Sequence, residues 1–304
     1  MSGNIPSVQV IARTGSLILK EGLSICFYMH ASHHEVAASV DQTLEVYLQA
    51  IGRFALTWYP DNEGEWQPLD DSSLENVRQE LLKHPAPLIL MRDSTGSLEA
   101  YQFQYRGVVL EPPFLAHTPP ERHACAVSFW LPASYLQSQG VGPFRDLAVS
   151  LARLLPFNSG HAGPSFHAWL GMEPLTQQMF DLGLRYPGMD IPDEHNNAYS
   201  VGDRLQGIHW MNFLGPPVLG ALGGSDGLRA RLSHPGTCVQ PLGEDRAVVT
   251  LGDAPDAGDT SQGNVLPAYR ELARVLGPWL TSREAARPYR ENEALRRWER
   301  RFLD

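Results

Sequence analysis

Hydrophobic and polar residues alternate along the segment from residue 23 to residue 30. The odd-numbered positions are Leu23, Ile25, Phe27 and Met29, and the even-numbered positions are Ser24, Cys26, Tyr28 and His30. Because neighbouring side chains of a strand point to opposite faces, this period of two predicts a strand with one face on the core. We interpret the run as a strand rather than a signal peptide or a membrane span, because it is short and follows Glu21.

A helical period follows this strand. Ser32, with Glu35 three residues later, has the pattern of a capping box at the start of a helix. Apolar residues then recur at helical spacing as far as Ile51, and Gly52 is suited to end the helix.

The same reading along the rest of the chain predicts a mixture of strands and helices. Further strands are predicted at Phe54–Tyr59, Pro87–Arg92, Ala100–Leu110, Cys125–Leu131, Cys238–Pro241 and Arg246–Leu251. Further helices are predicted from Ser72 or Ser73, at Pro143–Leu155, Pro174–Leu184 and Val265–Leu276, and in the tail from Glu291, with an apolar stripe of Leu295, Trp298 and Phe302. Since strands and helices do not alternate regularly, the predicted class is α+β, a mixed, largely antiparallel sheet with helices packed on it.

Prolines interrupt the chain between Glu111 and Pro120, which predicts a linker across the surface. The elements before and after this linker follow a similar order. The chain is therefore either one domain spanning residues 1–304 or two intimately packed subdomains, 1–115 and 120–304, with similar β-α-β-type halves.

Two short stretches carry the whole formal net charge of -10. Residues 61–82 hold seven carboxylates against Arg78, and residues 244–259 hold five against Arg246. Direct nucleic-acid binding is disfavoured, because phosphates need a basic footprint. An acidic surface instead favours a basic partner.

Aromatic residues lie beside and within the first acidic stretch. A mixture of aromatic side chains and carboxylates suits a hot spot for a basic protein partner. The predicted partner-binding residues are Trp58, Tyr59, Asp61, Glu63, Glu65, Trp66, Asp70 and Asp71. The simpler alternative is a solvated loop.

No motif of a nucleotide, hydrolase or metal site occurs in the chain. Neither GxxxxGK[ST] nor GxSxG is present. Zinc needs three or four converging ligands, and His33 and His34, at a helix start, are expected to be solvated. The three cysteines are far apart and form no CxxC pair, which is typical of a reducing compartment. The sequence thus predicts a cytoplasmic protein without metal or cofactor.

The densest polar cluster is formed by Asp190, Asp193, Glu194 and His195. Two carboxylates and an imidazole are the parts of a metal-dependent hydrolase. Pro192 and the neighbouring asparagines favour a solvated turn instead.

The second half of the chain carries five distinctive motifs, namely Leu154–Pro156, Ser159–Gly163, Arg185–Asp190, Gly207–Gly215 and Leu222–Gly224. In these motifs the chain resembles the type VI immunity family of bacteria. The resemblance covers most of the chain, and His209 departs from it, since a small or polar residue is expected there.

The resemblance implies a non-catalytic immunity protein. Members of the family bind a toxin delivered by the type VI secretion system, often a DNA-cleaving nuclease, and neutralise it in the cytoplasm. The acidic loop then either occupies the DNA groove of the nuclease or binds elsewhere and distorts its active site. A scaffold within the secretion apparatus is a further alternative.

Overall fold

The computed structural model describes residues 4–95, 98, 100–111, 119–168, 173–283 and 292–304. The strands in these ranges are β1 (Gln9–Ile11), β2 (Leu17–Met29), β3 (Trp58–Pro60), β4 (Trp66–Pro68), β5 (Leu88–Arg92), β6 (Gln102–Arg106), β7 (Cys125–Pro132), β8 (Ser159–Ala168), β9 (Met211–Leu214), β10 (Thr237–Pro241) and β11 (Ala247–Leu251). The helices are α1 (His33–Ile51), α2 (Asp71–Lys83), α3 (Ser134–Ser138), α4 (Val141–Leu154), α5 (Glu173–Arg185), α6 (Glu194–Asn197), α7 (Val218–Ala221), α8 (Gly224–Arg229), α9 (Pro267–Leu276) and α10 (Glu293–Glu299).

All the described strands belong to one sheet, in the order β10-β11-β9-β8-β2-β7-β6-β5-β3-β4, with β1 beside β2. Neighbouring strands are antiparallel, and β2 lies at the centre between β7 and β8. The predicted α+β class is therefore confirmed. Residues 112–118, which are part of the predicted linker, lie outside the described residues. Strands that precede them and strands that follow them belong to the same sheet. The division into subdomains stays a prediction.

One face of β2 builds the main core, as its alternation predicts. Leu23, Ile25, Phe27 and Met29 lie in one hydrophobic cluster with residues of α1 and α4. Burial of each such side chain stabilises the fold by about 1.5–3 kcal/mol relative to exposure.

The opposite face of β2 is buried as well, so the prediction of a strand with only one face on a core is wrong. Ser24, Cys26 and Tyr28 are at most 1% exposed. Their side chains contact Asp190, Glu194 and Asn197 from the segment that follows α5. A small hydrophobic cluster on this side joins Cys26 and Tyr28 with Ala124, Ala126, Ala198 and Val201. The sheet thus lies between two layers.

The boundaries of the first helix agree with the sequence. Ser32 and Glu35 form both hydrogen bonds of a capping box at the start of α1, and the backbone N–H of Gly52 bonds to Leu48 at its end. Helix α2 differs, because its cap is Asp70 rather than Ser72 or Ser73. The Asp70 carboxylate accepts a hydrogen bond from the Ser73 backbone at 2.8 Å.

The segment Asp93–Gly96 predicts a hairpin between the strands at Pro87–Arg92 and Ala100–Leu110, and the antiparallel pairing of β5 and β6 confirms it. Gly96 itself lies outside the described residues. The tail helix is also confirmed as α10, although Glu291, its predicted start, is likewise outside them. No helix in the described ranges has the length and apolarity that a membrane crossing requires.

Candidate functional site

The predicted acidic loop is an edge hairpin. Strands β3 and β4 pair from Trp58 opposite Pro68 to Pro60 opposite Trp66. Strand β3 joins the sheet through a Trp58–Arg92 pairing with β5, and β4 ends the path of the sheet. The sequence predicts a longer strand at Phe54–Tyr59 and a loop at Pro60–Asp71, and both predictions are wrong in extent, because β3 covers only Trp58–Pro60 and β4 lies within the predicted loop. The short strands are defined by their pairing with each other and by the pairing of β3 with β5, which local periodicity does not report.

Asp61 organises the turn of this hairpin. Its Oδ1 accepts hydrogen bonds from the backbone N–H groups of Glu63 and Glu65 at 3.0 and 2.9 Å. Its Oδ2 accepts from the Gln67 amide at 2.8 Å. These bonds, the one from Gln67 first, lower the pKa of Asp61. The turn consequently leaves the side chains of Glu63 and Glu65 exposed.

The other predicted partner-binding residues have contacts within the chain. Asp70 caps α2, and Asp71 lies 3.2 Å from the guanidinium of Arg53 at the surface. The Arg92 guanidinium lies 3.9 Å from the ring centroid of Trp66, a cation–π contact. Of the acids in this set, Glu63 and Glu65 are therefore the ones best placed to meet a partner.

A groove of about 590 Å³ lies against the hairpin turn. The hairpin, α2, the sheet and α6 all contribute to it, and its lining includes Tyr59, Asp61, Glu63, Glu80, Leu88, Gln104 and His195. Leu88 is 48% exposed, so an apolar surface lies between the carboxylates. Such a surface suits the alkyl stem and cationic head of a lysine or arginine.

Among the residues that line this groove, Glu80, Leu88, Gln104 and His195 were not predicted from the sequence as partner-binding residues. Local patterns assign Glu80 to a helix face and Leu88 to a strand. His195 lies more than a hundred residues further along the chain, and nothing local signals that it faces Tyr59 across the groove.

The cluster predicted as a solvated turn is mostly buried. Asp190, Asp193 and Glu194 are 2%, 4% and 2% exposed, so that interpretation is wrong for these three, while His195 is exposed as expected. Asp193 caps α6 through Asn196, with an amide contact of 2.8 Å. The four side chains therefore serve different contacts and do not form one open site.

Asp190 is held by two imidazoles. His161 Nε2 lies 3.0 Å from Oδ2, and His209 Nε2 lies 3.1 Å from Oδ1. The two rings stack with centroids 3.8 Å apart. Burial alone raises the pKa of Asp190, but His209 and His161 hold it well below its ordinary value. Burial, with His161 beside it, lowers the pKa of His209 to about 3.

Glu194 has a different environment. Its Oε1 lies 3.2 Å from the Cys26 sulfur. Burial raises the pKa of Glu194 to about 7, and burial beside Glu194 and Asp190 raises the pKa of Cys26. The carboxyl groups of Asp190 and Glu194 thus both lie beneath the surface.

The three histidines near the start of the first helix have different surroundings. His33 is 2% exposed, and its Nδ1 lies 2.8 Å from the Tyr105 hydroxyl, so the expectation that it is solvated is wrong. His34 is exposed and lies near Glu35 and Glu111, also exposed. His30 Nδ1 lies 2.6 Å from the carbonyl of His123.

Comparisons with known proteins agree with this architecture. The model of the family described as "TsiV: Type VI immunity for VRR-NUC" matches residues 39–302. The Pseudomonas aeruginosa T6SS protein PA0821 has a similar structure, with a TM-score of 0.78, 16% sequence identity, and coverage of 97% of this chain and 87% of that chain. No curated protein matches the sequence. Because the family match spans most of its length, the chain belongs to the TsiV family of type VI immunity proteins for VRR-NUC.

Proposed function

We propose that this protein binds a cognate type VI effector nuclease of the VRR-NUC class in the cytoplasm and inhibits it without catalysis. Membership of the TsiV family supports an effector partner. The formal net charge of -10 supports a basic partner surface, as a DNA-binding groove must be. The toxin is accordingly a DNase.

The observation that carries this proposal is the edge hairpin. Asp61 holds the turn rigid through three hydrogen bonds, and the turn presents Glu63 and Glu65 to solvent beside an apolar groove. A turn that is already fixed reduces the backbone entropy lost on binding. The two carboxylates are suited to occupy positions that DNA phosphates take in the nuclease, and this geometry favours occlusion of the DNA groove over distortion from a distance.

A metal-dependent hydrolase is disfavoured by the same structure. It would need Asp190, Asp193, Glu194 and His195 around one accessible site. Asp190 and Glu194 are each 2% exposed, and His195 faces the groove beside the hairpin.

The test is a double charge reversal at Glu63 and Glu65. Glu63 and Glu65 are chosen instead of Asp61 and Asp70. Asp61 holds the turn and Asp70 caps α2, so replacement of either aspartate would alter the fold. We expect Glu63→Lys with Glu65→Lys to weaken effector binding by tenfold or more, equivalent to about 1.4 kcal/mol per tenfold, and to reduce its salt dependence. Calorimetry at two salt concentrations measures both.

The matched control reverses two exposed acids of the other acidic stretch, Glu244 and Asp253, and changes the net charge equally. An equal loss of affinity in both variants would mean that only net charge matters. Unchanged affinity in the hairpin variant would place the interface elsewhere. If the wild-type protein forms no complex with the effector encoded next to it and does not protect cells, an immunity function is refuted and a secretion scaffold is favoured.

A further inference from the structure

Side chains with metal-binding atoms converge beneath the surface, away from the hairpin. Cys26, His161, Asp190 and Glu194 are at most 3% exposed. They lie between the central strands of the sheet and the segment that follows α5. They are far apart along the sequence, so no local spacing motif signals them.

The sheet fixes two of these residues. Cys26 on β2 lies directly opposite His161 on β8 in the antiparallel register. Directly opposed residues place their Cβ atoms about 4.5–5.5 Å apart on one face. Both side chains therefore point into the same layer from rigid backbone.

Asp190 is fixed against the same strand. Its N–H donates to the carbonyl of Pro164 at 2.8 Å, and its carbonyl accepts from Phe166 at 2.9 Å. The carboxylate is thereby held beside the imidazole of His161, with 3.0 Å between Oδ2 and Nε2. Three separate segments of the chain thus supply three donors.

The donor atoms have nearly the spacing of a zinc site. The Cys26 sulfur, a His161 ring nitrogen and an Asp190 oxygen all lie within 4.8 Å of one another. Zinc–ligand bonds of about 2.0–2.3 Å in a tetrahedron place ligand atoms roughly 3.3–3.8 Å apart. Rotamer adjustments of about an ångström are sufficient to close that difference.

A further carboxylate lies beside the thiol, and outer contacts to the ligands are in place. Glu194 Oε1 lies 3.2 Å from the Cys26 sulfur. The other oxygen of Asp190 contacts His209 Nε2 at 3.1 Å, the kind of outer hydrogen bond that orients a coordinating carboxylate. Thiolate, imidazole and carboxylate together suit zinc, whereas a sulfur donor disfavours magnesium and calcium.

We propose that Cys26, His161 and Asp190 bind one structural zinc ion, and that Glu194 becomes the fourth ligand by rotating from its position beside the thiol. Binding releases the thiol proton of Cys26, and the carboxyl proton of Glu194 where it is protonated, to solvent. With four protein ligands and no open position, the ion is structural rather than catalytic. It ties β2 and β8 to the segment that covers them, and it is independent of the proposed inhibition of a nuclease.

The first experiment measures metal content in the full-length protein purified with a tag that lacks histidine. We expect about one zinc ion per chain by elemental analysis and by native mass spectrometry. Strong chelation should lower the melting temperature, and zinc should restore it. Folded, metal-free protein that takes up neither zinc nor cobalt would overturn the proposal.

The second experiment locates the ion with cobalt in place of zinc. Cobalt should give a thiolate-to-metal absorption band that disappears in Cys26→Ser and weakens in His161→Gln. Cys238→Ser is the matched control, because Cys238 is an exposed cysteine on β10. A band that survives Cys26→Ser, or is lost in Cys238→Ser, would refute this site. If Cys26→Ser fails to fold, metal stoichiometry of the wild-type protein still decides whether an ion is bound.

Discussion

At the scale of single residues, His209 shows how a buried carboxylate is tolerated. Asp190 is 2% exposed, and each of its oxygens contacts one imidazole. An isolated buried carboxylate costs several kcal/mol, and paired donors offset that cost. His209, which departs from the pattern expected of the family, thus has a physical role as one of the two partners of Asp190.

Replacement of His209 by alanine is therefore expected to destabilise the protein. His209→Ala leaves Asp190 Oδ1 unpaired and removes a stacked ring, which should lower the free energy of unfolding by about 3 kcal/mol. Urea denaturation at neutral pH measures this change. His195→Ala, at an exposed imidazole, is the control and should alter stability by no more than about 0.5 kcal/mol. Equal effects of the two variants would contradict a pairing role for His209.

A second prediction for a single residue concerns Asp259 and the pH dependence of the stability of the fold. Hydrogen bonds from Arg185, then Ser261, lower the pKa of Asp259 from 3.8 to about 2. Since the folded-state pKa lies below the unfolded one, ionised Asp259 stabilises the fold above about pH 4, and this contribution is lost as the pH falls towards about 2. Asp259→Asn should melt at a lower temperature than the wild type at about pH 5, and the difference should shrink towards about pH 2. A difference that is constant with pH would rule out this linkage.

At the scale of elements, α2 and the hairpin divide the acidic residues between two roles. Asp70 accepts from the Ser73 backbone at 2.8 Å, and Ser73 Oγ accepts from the Asp70 N–H at 2.7 Å. The carboxylate of Asp70 therefore satisfies a helix end. Part of the negative charge of residues 61–82 therefore stabilises the fold.

Asp70→Ala is expected to lower the free energy of unfolding by about 1 kcal/mol, because a helix start loses its cap. Asp71→Ala should cost less, since its pair with Arg53 lies at the surface, where an ion pair contributes about 0–1 kcal/mol. Chemical denaturation of both variants makes the comparison. A larger loss in Asp71→Ala would reverse the assignment of these roles.

At the scale of the whole molecule, the C-terminal helix α10 packs against α5. Trp298 is fully buried, and the Arg301 guanidinium lies 4.0 Å from its ring centroid. Arg301 also donates to the carbonyl of Pro187 at 2.7 Å. A Cβ at Gly183 of α5 would lie only 2.5 Å from the Trp298 ring, so the close approach of α10 to α5 requires glycine there.

Trp298→Ala should therefore destabilise the molecule as a large-to-small core substitution does, by about 3–5 kcal/mol. Arg297→Ala, one residue earlier on the exposed face of α10, is the matched control and should change little. Thermal and urea unfolding test both variants. A small effect at Trp298 would mean that α10 contributes little to the stability of the fold.

The sequence by itself determined the elements whose signals are local. The alternation of β2 and the stripe of Leu295, Trp298 and Phe302 record which residues are apolar and buried, and the capping box records where α1 begins; these local features are confirmed. The acidic stretches and the family motifs are likewise readable along the chain. These features depend on residues within a few positions of one another.

Only the tertiary structure decided what covers the other face of the sheet. Ser24 and Cys26 look like a solvated face in sequence, yet Asp190 and Glu194, more than 160 residues away, contact them. In the same way His195 joins Tyr59 in the groove. Periodicity reports the polarity of one strand, whereas burial of polar side chains depends on partners that arrive from distant segments and satisfy their hydrogen bonds.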